Sequence, residues 1–252
     1  MNGYGKLLQE KNAKTTKGEA RGYLTGILYL VPSDGSGLGN LCPNASPGCR
    51  AACLYSAGRG VMRPVIEGRM RKTRLFFESA PRFVDALADD VRKLAARAAR
   101  KGMTPAVRLN GTSDVPWERV RGTDGRTIME RFPNVQFYDY TKRPNRDSVW
   151  SNYHLTFSRS ECNDEQAMLE LERGRNVAVV FATRKGEPLP LFWRGYRVVD
   201  GDESDLRFLD APHPLKSGCV ECAVVIGLRA KGKAKRDASG FVQIDARKEC
   251  AA

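Results

Sequence analysis

The sequence predicts an α/β protein built on a parallel sheet, as an incomplete or degenerate parallel (βα) barrel, with an open doubly wound sheet as the alternative. Short apolar segments alternate with helical patterns between residues 23 and 182, and strands that alternate with helices in this way form parallel sheets. The helical patterns fade after residue 174, so we do not expect a complete barrel of eight strand–helix units.

The first part of the chain predicts an arm, a strand and a long loop. Residues 1–20 are polar and rich in lysine, which indicates a flexible basic N-terminal arm or a loosely docked helix. Residues 21–252 are expected to form a single α/β barrel-like domain. Residues 23–31 are β-branched, aromatic and apolar, as in a buried strand. Residues 32–60 are rich in glycine and proline, so they are not expected to form regular structure throughout.

Residues 64–101 have apolar side chains at helical spacing. Pro81 divides this stretch into two predicted helices, because proline is favoured in the first turn of a helix and disfavoured inside one. Ser79 is the expected N-cap of the second helix, and Gly102 is suited to end it.

The alternation continues to the end of the chain. Strands are predicted at 106–109, 135–140, 153–158, 176–182, 196–199, 223–228 and 241–244, helices at 125–132 and 164–174, and a helical turn at 144–150.

Composition and charge restrict the class of protein. The chain has 42 Lys and Arg residues against 29 Asp and Glu, a formal net charge of +13. Such a surplus is typical of proteins that bind nucleic acid or another anionic partner, although a genome that favours arginine gives the same surplus. No apolar run is long enough to span a membrane, and no signal peptide is recognised, so we expect a cytoplasmic protein. The oligomeric state stays open.

Three of the seven cysteines lie close together, at Cys42, Cys49 and Cys53. Prolines and a glycine between Cys42 and Cys49 allow the loop to turn, and thiolates that converge on one point can bind a metal. Cys49 and Cys53 are spaced i,i+4, so they share one face if a helix begins there. We therefore interpret the three as metal ligands, with an iron–sulfur cluster as the first choice.

A second pair, Cys219 and Cys222, forms a C-x-x-C motif before a predicted strand. This pair supplies either the fourth ligand of the cluster or, together with two of the first three cysteines, a zinc site. Ordinary buried or idle cysteines are the simpler alternative for both residues.

Polar residues collect where the predicted strands end, which is where α/β barrels place their functional groups. The turn after the second strand contains Asn110, Thr112, Ser113 and Asp114. Other strand-end residues are Trp117, Glu118, Asp139, Tyr140, Lys142, Ser158, Arg159, Thr183, Arg184, Asp200 and Asp202. Turn and capping chemistry explains the 110–114 segment equally well.

The acidic run at residues 200–205 has enough oxygen atoms to bind a hard cation, but it lacks the full calcium-loop pattern. The favoured interpretation is a solvated acidic loop whose carboxylates pair with some of the surplus arginines.

The position of the cysteine loop after the first strand resembles that of the radical S-adenosylmethionine barrel enzymes, with C-x6-C-x3-C here and C-x3-C-x2-C in that family. This resemblance implies a [4Fe-4S] cluster on Cys42, Cys49 and Cys53 with one iron open for S-adenosylmethionine. It also implies that Asn110, Thr112, Ser113 and Asp114 bind this cofactor.

Residues 41–60, 108–114 and 227–232 also resemble a phage and plasmid gene-product family with a three-cysteine loop. This resemblance implies a viral or mobile-element setting, within the host cytoplasm.

Three functions follow from these observations. The first is a cluster-binding protein of phage or mobile-element type that works as a radical or redox enzyme. The second is a non-catalytic nucleic-acid-binding protein that carries zinc or a cluster. The third is a structural zinc domain without catalysis. Whether the protein is an enzyme stays open.

Overall fold

A computed structural model describes residues 5–210 and 223–244. The helices are α1 Ala13–Glu19, α2 Pro47–Ala51, α3 Arg63–Glu78, α4 Ala80–Arg100, α5 Ile128–Arg131 and α6 Asp164–Glu172. The strands are β1 Leu8–Gln9, β2 Tyr23–Leu28, β3 Thr104–Arg108, β4 Gln136–Thr141, β5 Tyr153–Ser158, β6 Val177–Phe181, β7 Phe192–Trp193, β8 Tyr196–Asp200 and β9 Val225–Arg229.

The fold is mixed α/β with a nine-stranded, mostly parallel sheet in the order β1-β2-β3-β4-β5-β6-β9-β8-β7. The two edge strands pair antiparallel with their single neighbours, β1 with β2 and β7 with β8. No pairing joins β1 to β7 in the described residues, so the sheet is not closed and the predicted barrel is not confirmed.

The chain divides into two compact units. The first unit comprises Met1–Pro43, Arg59–Asp139 and Asp147–Leu155, and the second comprises Asn44–Gly58, Tyr140–Arg146 and Thr156–Ala252. Segments of each unit therefore interrupt the sequence of the other. The single domain expected over residues 21–252 stays a prediction.

The first unit is built on β2 and β3, which pair in parallel from Tyr23 opposite Thr104 to Ile27 opposite Arg108. The long helix α4 covers these strands with side chains at helical spacing, which are fully buried. They are Phe83, Val84, Leu87, Ala88, Val91, Leu94 and Ala98. Ser79 caps this helix and Pro81 occupies its first turn, which confirms the predicted start of the helix. The helix ends at Arg100, two residues before Gly102, which has a φ of +63°.

The predicted arm contains β1 and α1. Leu7 and Leu8 are buried, and the Asp90 carboxylate accepts hydrogen bonds from both backbone N–H groups, at 2.7 and 3.0 Å. The Lys72 ammonium donates to the Leu7 carbonyl at 3.0 Å. Burial, with the nearby charges of Arg71 and Arg69, lowers the pKa of Lys72 to about 8. The side chains of Asp90 and Lys72 thus bind the backbone N–H and carbonyl of Leu7 and fix the N-terminal segment.

The second unit contains the parallel pairs β5–β6, β6–β9 and β8–β9. Strand β6 reads Val-Ala-Val-Val-Phe and is buried along most of its length, as expected for a central parallel strand. The predicted strand at 241–244 is reduced to one bridge between Phe181 and Gln243. The predicted helical turn at 144–150 is a turn at residues 144–145, in which Asn145 has a φ of +53°.

Candidate functional site

The predicted cofactor-binding turn begins with Asn110, which follows β3 in the first unit and is buried. Its side-chain oxygen accepts hydrogen bonds from Ser113 Oγ at 2.8 Å, the Val115 N–H at 3.0 Å and Trp117 Nε1 at 3.1 Å. Its side-chain nitrogen donates to the Val115 carbonyl at 3.0 Å and to Asp139 Oδ2 at 3.1 Å. Every hydrogen-bonding position of this amide is therefore used inside the protein.

Asp139 connects this turn to the neighbouring strand β4. Its carboxylate is fully buried and accepts from the Asn110 N–H at 2.5 Å and from the Tyr153 hydroxyl at 2.7 Å. Buried carboxylates are stable only where donors satisfy them. Asn110 and Asp139, which the sequence analysis selected separately as strand-end residues, are therefore neighbours, and their contacts order the turn.

The remaining predicted residues of the turn face the chain that leaves β2. Thr112 Oγ1 donates to the Leu30 carbonyl at 2.5 Å, and the Asp114 N–H donates to the Leu41 carbonyl at 2.8 Å. Ser113 and Asp114 are buried, and Thr112 is half-buried. These bonds fix the segment around residue 41 beside the turn.

One of the predicted metal ligands lies at this place. The half-buried Cys42 thiol donates to the Thr112 carbonyl, with 3.7 Å between sulfur and oxygen. The structure therefore brings together Cys42 and Thr112, which the sequence analysis selected for two different reasons. Both follow parallel strands of the first unit, at the carboxyl end where α/β proteins place ligands.

Cys49 and Cys53 belong to the second unit, where α2 begins at Pro47 and ends at Ala51. The helix therefore starts before Cys49 and ends before Cys53, so the two cysteines do not lie on a common helix that begins at Cys49. The Cys49 side chain packs against the buried cluster that includes Ala52 and Phe241. Cys53 Sγ accepts a hydrogen bond from the Tyr55 N–H at 3.5 Å.

Glu161 anchors the start of α2 and was missed by the sequence analysis. Its carboxylate accepts from Ser46 Oγ at 2.7 Å and from the Gly48 N–H at 2.6 Å. Ser46 Oγ in turn caps the Cys49 N–H at 3.1 Å. The partner lies 113 residues from Gly48, so only the serine before a proline gave a local signal for this cap.

Among the residues that the structure describes, no three His, Cys, Asp or Glu side chains are placed to hold a metal ion together. The four described cysteines, Cys42, Cys49, Cys53 and Cys162, form no disulfide. Cys219 and Cys222 lie outside the described residues. The assignment of the five cysteines to a metal therefore stays a prediction.

The acidic run at 200–205 binds side chains of the second unit. Arg229 Nη1 lies 2.8 Å from Asp200 Oδ2 and 3.3 Å from Asp202 Oδ2, and Lys231 Nζ lies 2.6 Å from Asp202 Oδ1. Burial acts to raise the pKa of Asp202, but the hydrogen bond and charge of Lys231 hold it below the usual value. The expected pairing of these acids with surplus basic residues is therefore found.

Comparison with protein-family models identifies a family. A family model described as gene product 88 matches residues 6–243. No curated protein and no solved structure match the chain. The likeness to radical S-adenosylmethionine enzymes thus receives no support from these comparisons. Within residues 5–210 and 223–244, the helices are too short or too polar to cross a lipid bilayer.

Proposed function

The chain belongs to the gene product 88 family, a phage-type family, and we propose that it binds a [4Fe-4S] cluster through Cys42, Cys49 and Cys53. The observation that carries this proposal is the 3.7 Å contact between Cys42 Sγ and the Thr112 carbonyl. It puts the first thiol of the motif beside the turn that follows β3, in the region where parallel α/β proteins bind cofactors.

The local chemistry of the other two cysteines fits such a ligand set. The Tyr55 N–H that donates to Cys53 Sγ is the kind of hydrogen bond that stabilises a thiolate and tunes a bound cluster. Glu161 fixes the backbone on which Cys49 lies. A reducing host cytoplasm, the compartment we propose, keeps all of these cysteines as thiols.

A cluster held by three cysteines leaves a position for a fourth ligand. The candidates are Cys219, Cys222 and a small molecule, for which we propose S-adenosylmethionine. Contacts of the 110–114 turn with such a molecule would come from groups other than the Asn110 amide, because that amide is fully used inside the protein.

Anaerobic purification followed by visible absorption and by iron, sulfide and zinc analysis tests the proposal. We expect a brown protein with about four iron and four sulfide atoms per chain. Cys42→Ala, Cys49→Ala and Cys53→Ala each lose the cluster, because each removes one ligand. Cys162→Ala, at an exposed thiol outside the motif, is the matched control and keeps it.

Two outcomes would overturn the assignment. A colourless protein with one zinc per chain would replace the iron–sulfur cluster by a zinc site. Full iron content in Cys49→Ala would remove this residue from the ligand set. Cys219→Ala and Cys222→Ala, measured alongside, decide whether the fourth ligand comes from the second pair.

A further inference from the structure

A short basic turn in the second unit has no role in the proposed cluster site. The 3₁₀ turn Gly232–Arg236 carries Lys233, Lys235 and Arg236, and all three side chains are exposed. Three like charges within four residues of the chain repel one another. We call this segment the basic turn.

Packing holds the basic turn in place. Ala234, between the lysines, is buried in the cluster that contains Ala52, Phe241 and Val242. Gly232 has a φ of +57°, and a Cβ at this position would lie 3.1 Å from Ala57 Cβ, so the turn lies directly against the segment that follows α2. The cations are therefore presented from a fixed backbone and not from a loose loop.

Nearby acids do not neutralise these three cations. Asp202 pairs with Lys231 and Arg229, before the turn. Asp237, after the turn, accepts from Ser239 Oγ at 2.6 Å and from the Val242 N–H at 2.9 Å. Burial acts to raise the pKa of Asp237, but these hydrogen bonds outweigh it and hold the pKa below the usual value.

Within the described residues, Lys233, Lys235 and Arg236 make no ion pair with a carboxylate, whereas Lys231 does. Leu54 follows α2 and is 45% exposed, which gives the segment after α2 an apolar contact surface.

We propose that the basic turn binds the phosphodiester backbone of a nucleic acid. Closely spaced cations without counter-charges gain free energy when they displace the ions condensed on a polyanion. An exposed aliphatic side chain beside such a surface can make apolar contact with a base. An acidic protein partner is the competing class, which the experiment distinguishes.

The test compares two variants with the same net charge. In the first variant, Lys233→Gln, Lys235→Gln and Arg236→Gln remove the basic turn's charges. In the control, Lys93→Gln, Arg100→Gln and Lys101→Gln remove three exposed charges around α4 in the first unit. Fluorescence anisotropy measures the binding of labelled single-stranded DNA, duplex DNA and RNA at several salt concentrations.

For the wild-type protein, we expect the logarithm of the binding constant to fall linearly with the logarithm of salt concentration. The first variant lowers the steepness of this dependence by about 2–3, since each lost phosphate contact contributes about 0.7 on single strands and about 0.9 on duplexes. The control leaves it unchanged. The three nucleic acids show which backbone geometry the surface prefers.

Equal salt dependence in both triple variants would overturn the proposal, because charge alone and not its position would then explain binding. Absence of binding to all three nucleic acids, or tighter binding to poly-glutamate than to any of them, would also overturn it. If the triple variant folds poorly, Lys235→Gln alone still tests the proposal, with an expected change of about 1 in the salt slope.

Discussion

Asn110 is expected to stabilise the first unit, and replacing it by Ala measures that role. The variant loses the five hydrogen bonds of the amide, and it leaves the Trp117 indole N–H and the Val115 N–H buried without their acceptor. Each buried donor without a partner costs about 1–3 kcal/mol. Because Ser113 Oγ can rotate to another acceptor, we expect a total loss of about 3–5 kcal/mol in the free energy of unfolding.

A second substitution at this position tests the orientation of the amide. Asn110→Asp keeps an acceptor for Trp117 but puts a carboxylate oxygen where the nitrogen now lies 3.1 Å from Asp139 Oδ2. Two carboxylates at this distance raise the pKa of one of them. The folded state then binds more protons than the unfolded state, so the destabilisation is smaller in mildly acidic than in neutral buffer.

Guanidinium unfolding followed by circular dichroism and tryptophan fluorescence measures both effects. Asn134→Ala is the matched control, because Asn134 is exposed in the same unit, and it should change stability by less than about 0.5 kcal/mol. A loss of under about 1 kcal/mol for Asn110→Ala would refute the structural role and return Asn110 to the candidate cofactor ligands.

Two further predictions concern the α2 anchor and the N-terminal segment. Gly48→Ala should destabilise the protein by about 1–3 kcal/mol and lower its iron content, because the new Cβ would overlap Ser239 Oγ. Gly68→Ala, in open space on α3, should stabilise the protein by about 0.5–1 kcal/mol. Thermal melts of both variants measure the changes in stability. If both substitutions change stability by the same amount, the close contact between Gly48 and Ser239 does not destabilise the Ala variant, and the prediction is wrong. The pKa of Lys72 is about 8 in the folded protein, against its ordinary value of 10.5. Between these two pH values the unfolded state binds more protons, so stability rises with pH. The stability of the wild-type protein relative to Lys72→Met should therefore rise by roughly 3 kcal/mol from pH 8 to pH 10.5. Urea unfolding at the two pH values measures this, and a flat difference would contradict burial of the ammonium.

Most of the regular structure was predictable because its signals are local. The strand at Tyr153–Ser158 was predicted with the bounds that the structure has, and the start of α4 followed from Ser79 and Pro81. Helical and strand periodicities are set by neighbours within a few residues, so they are visible in the chain itself. Strand β7 and helix α2 were missed, because segments of two and five residues show too little periodicity.

The candidate site was predictable in its residues but not in its contacts. The strand-end rule selected Asn110, Thr112 and Asp139, and the compact motif selected Cys42. The sequence could not show that Val115 and its neighbours occupy every hydrogen-bonding position of the Asn110 amide, because these bonds depend on the path of the following turn.

The sequence by itself determined the α/β alternation, the parallel character of the sheet and the positions of the polar turns. Only the tertiary structure decided that the sheet stays open, that Cys42 meets Thr112, and that Glu161 anchors the segment carrying Cys49. These pairings join residues 70 and 113 positions apart. No local pattern encodes contacts at such separations, since they form only when parallel strands bring distant loops to the same edge of the sheet.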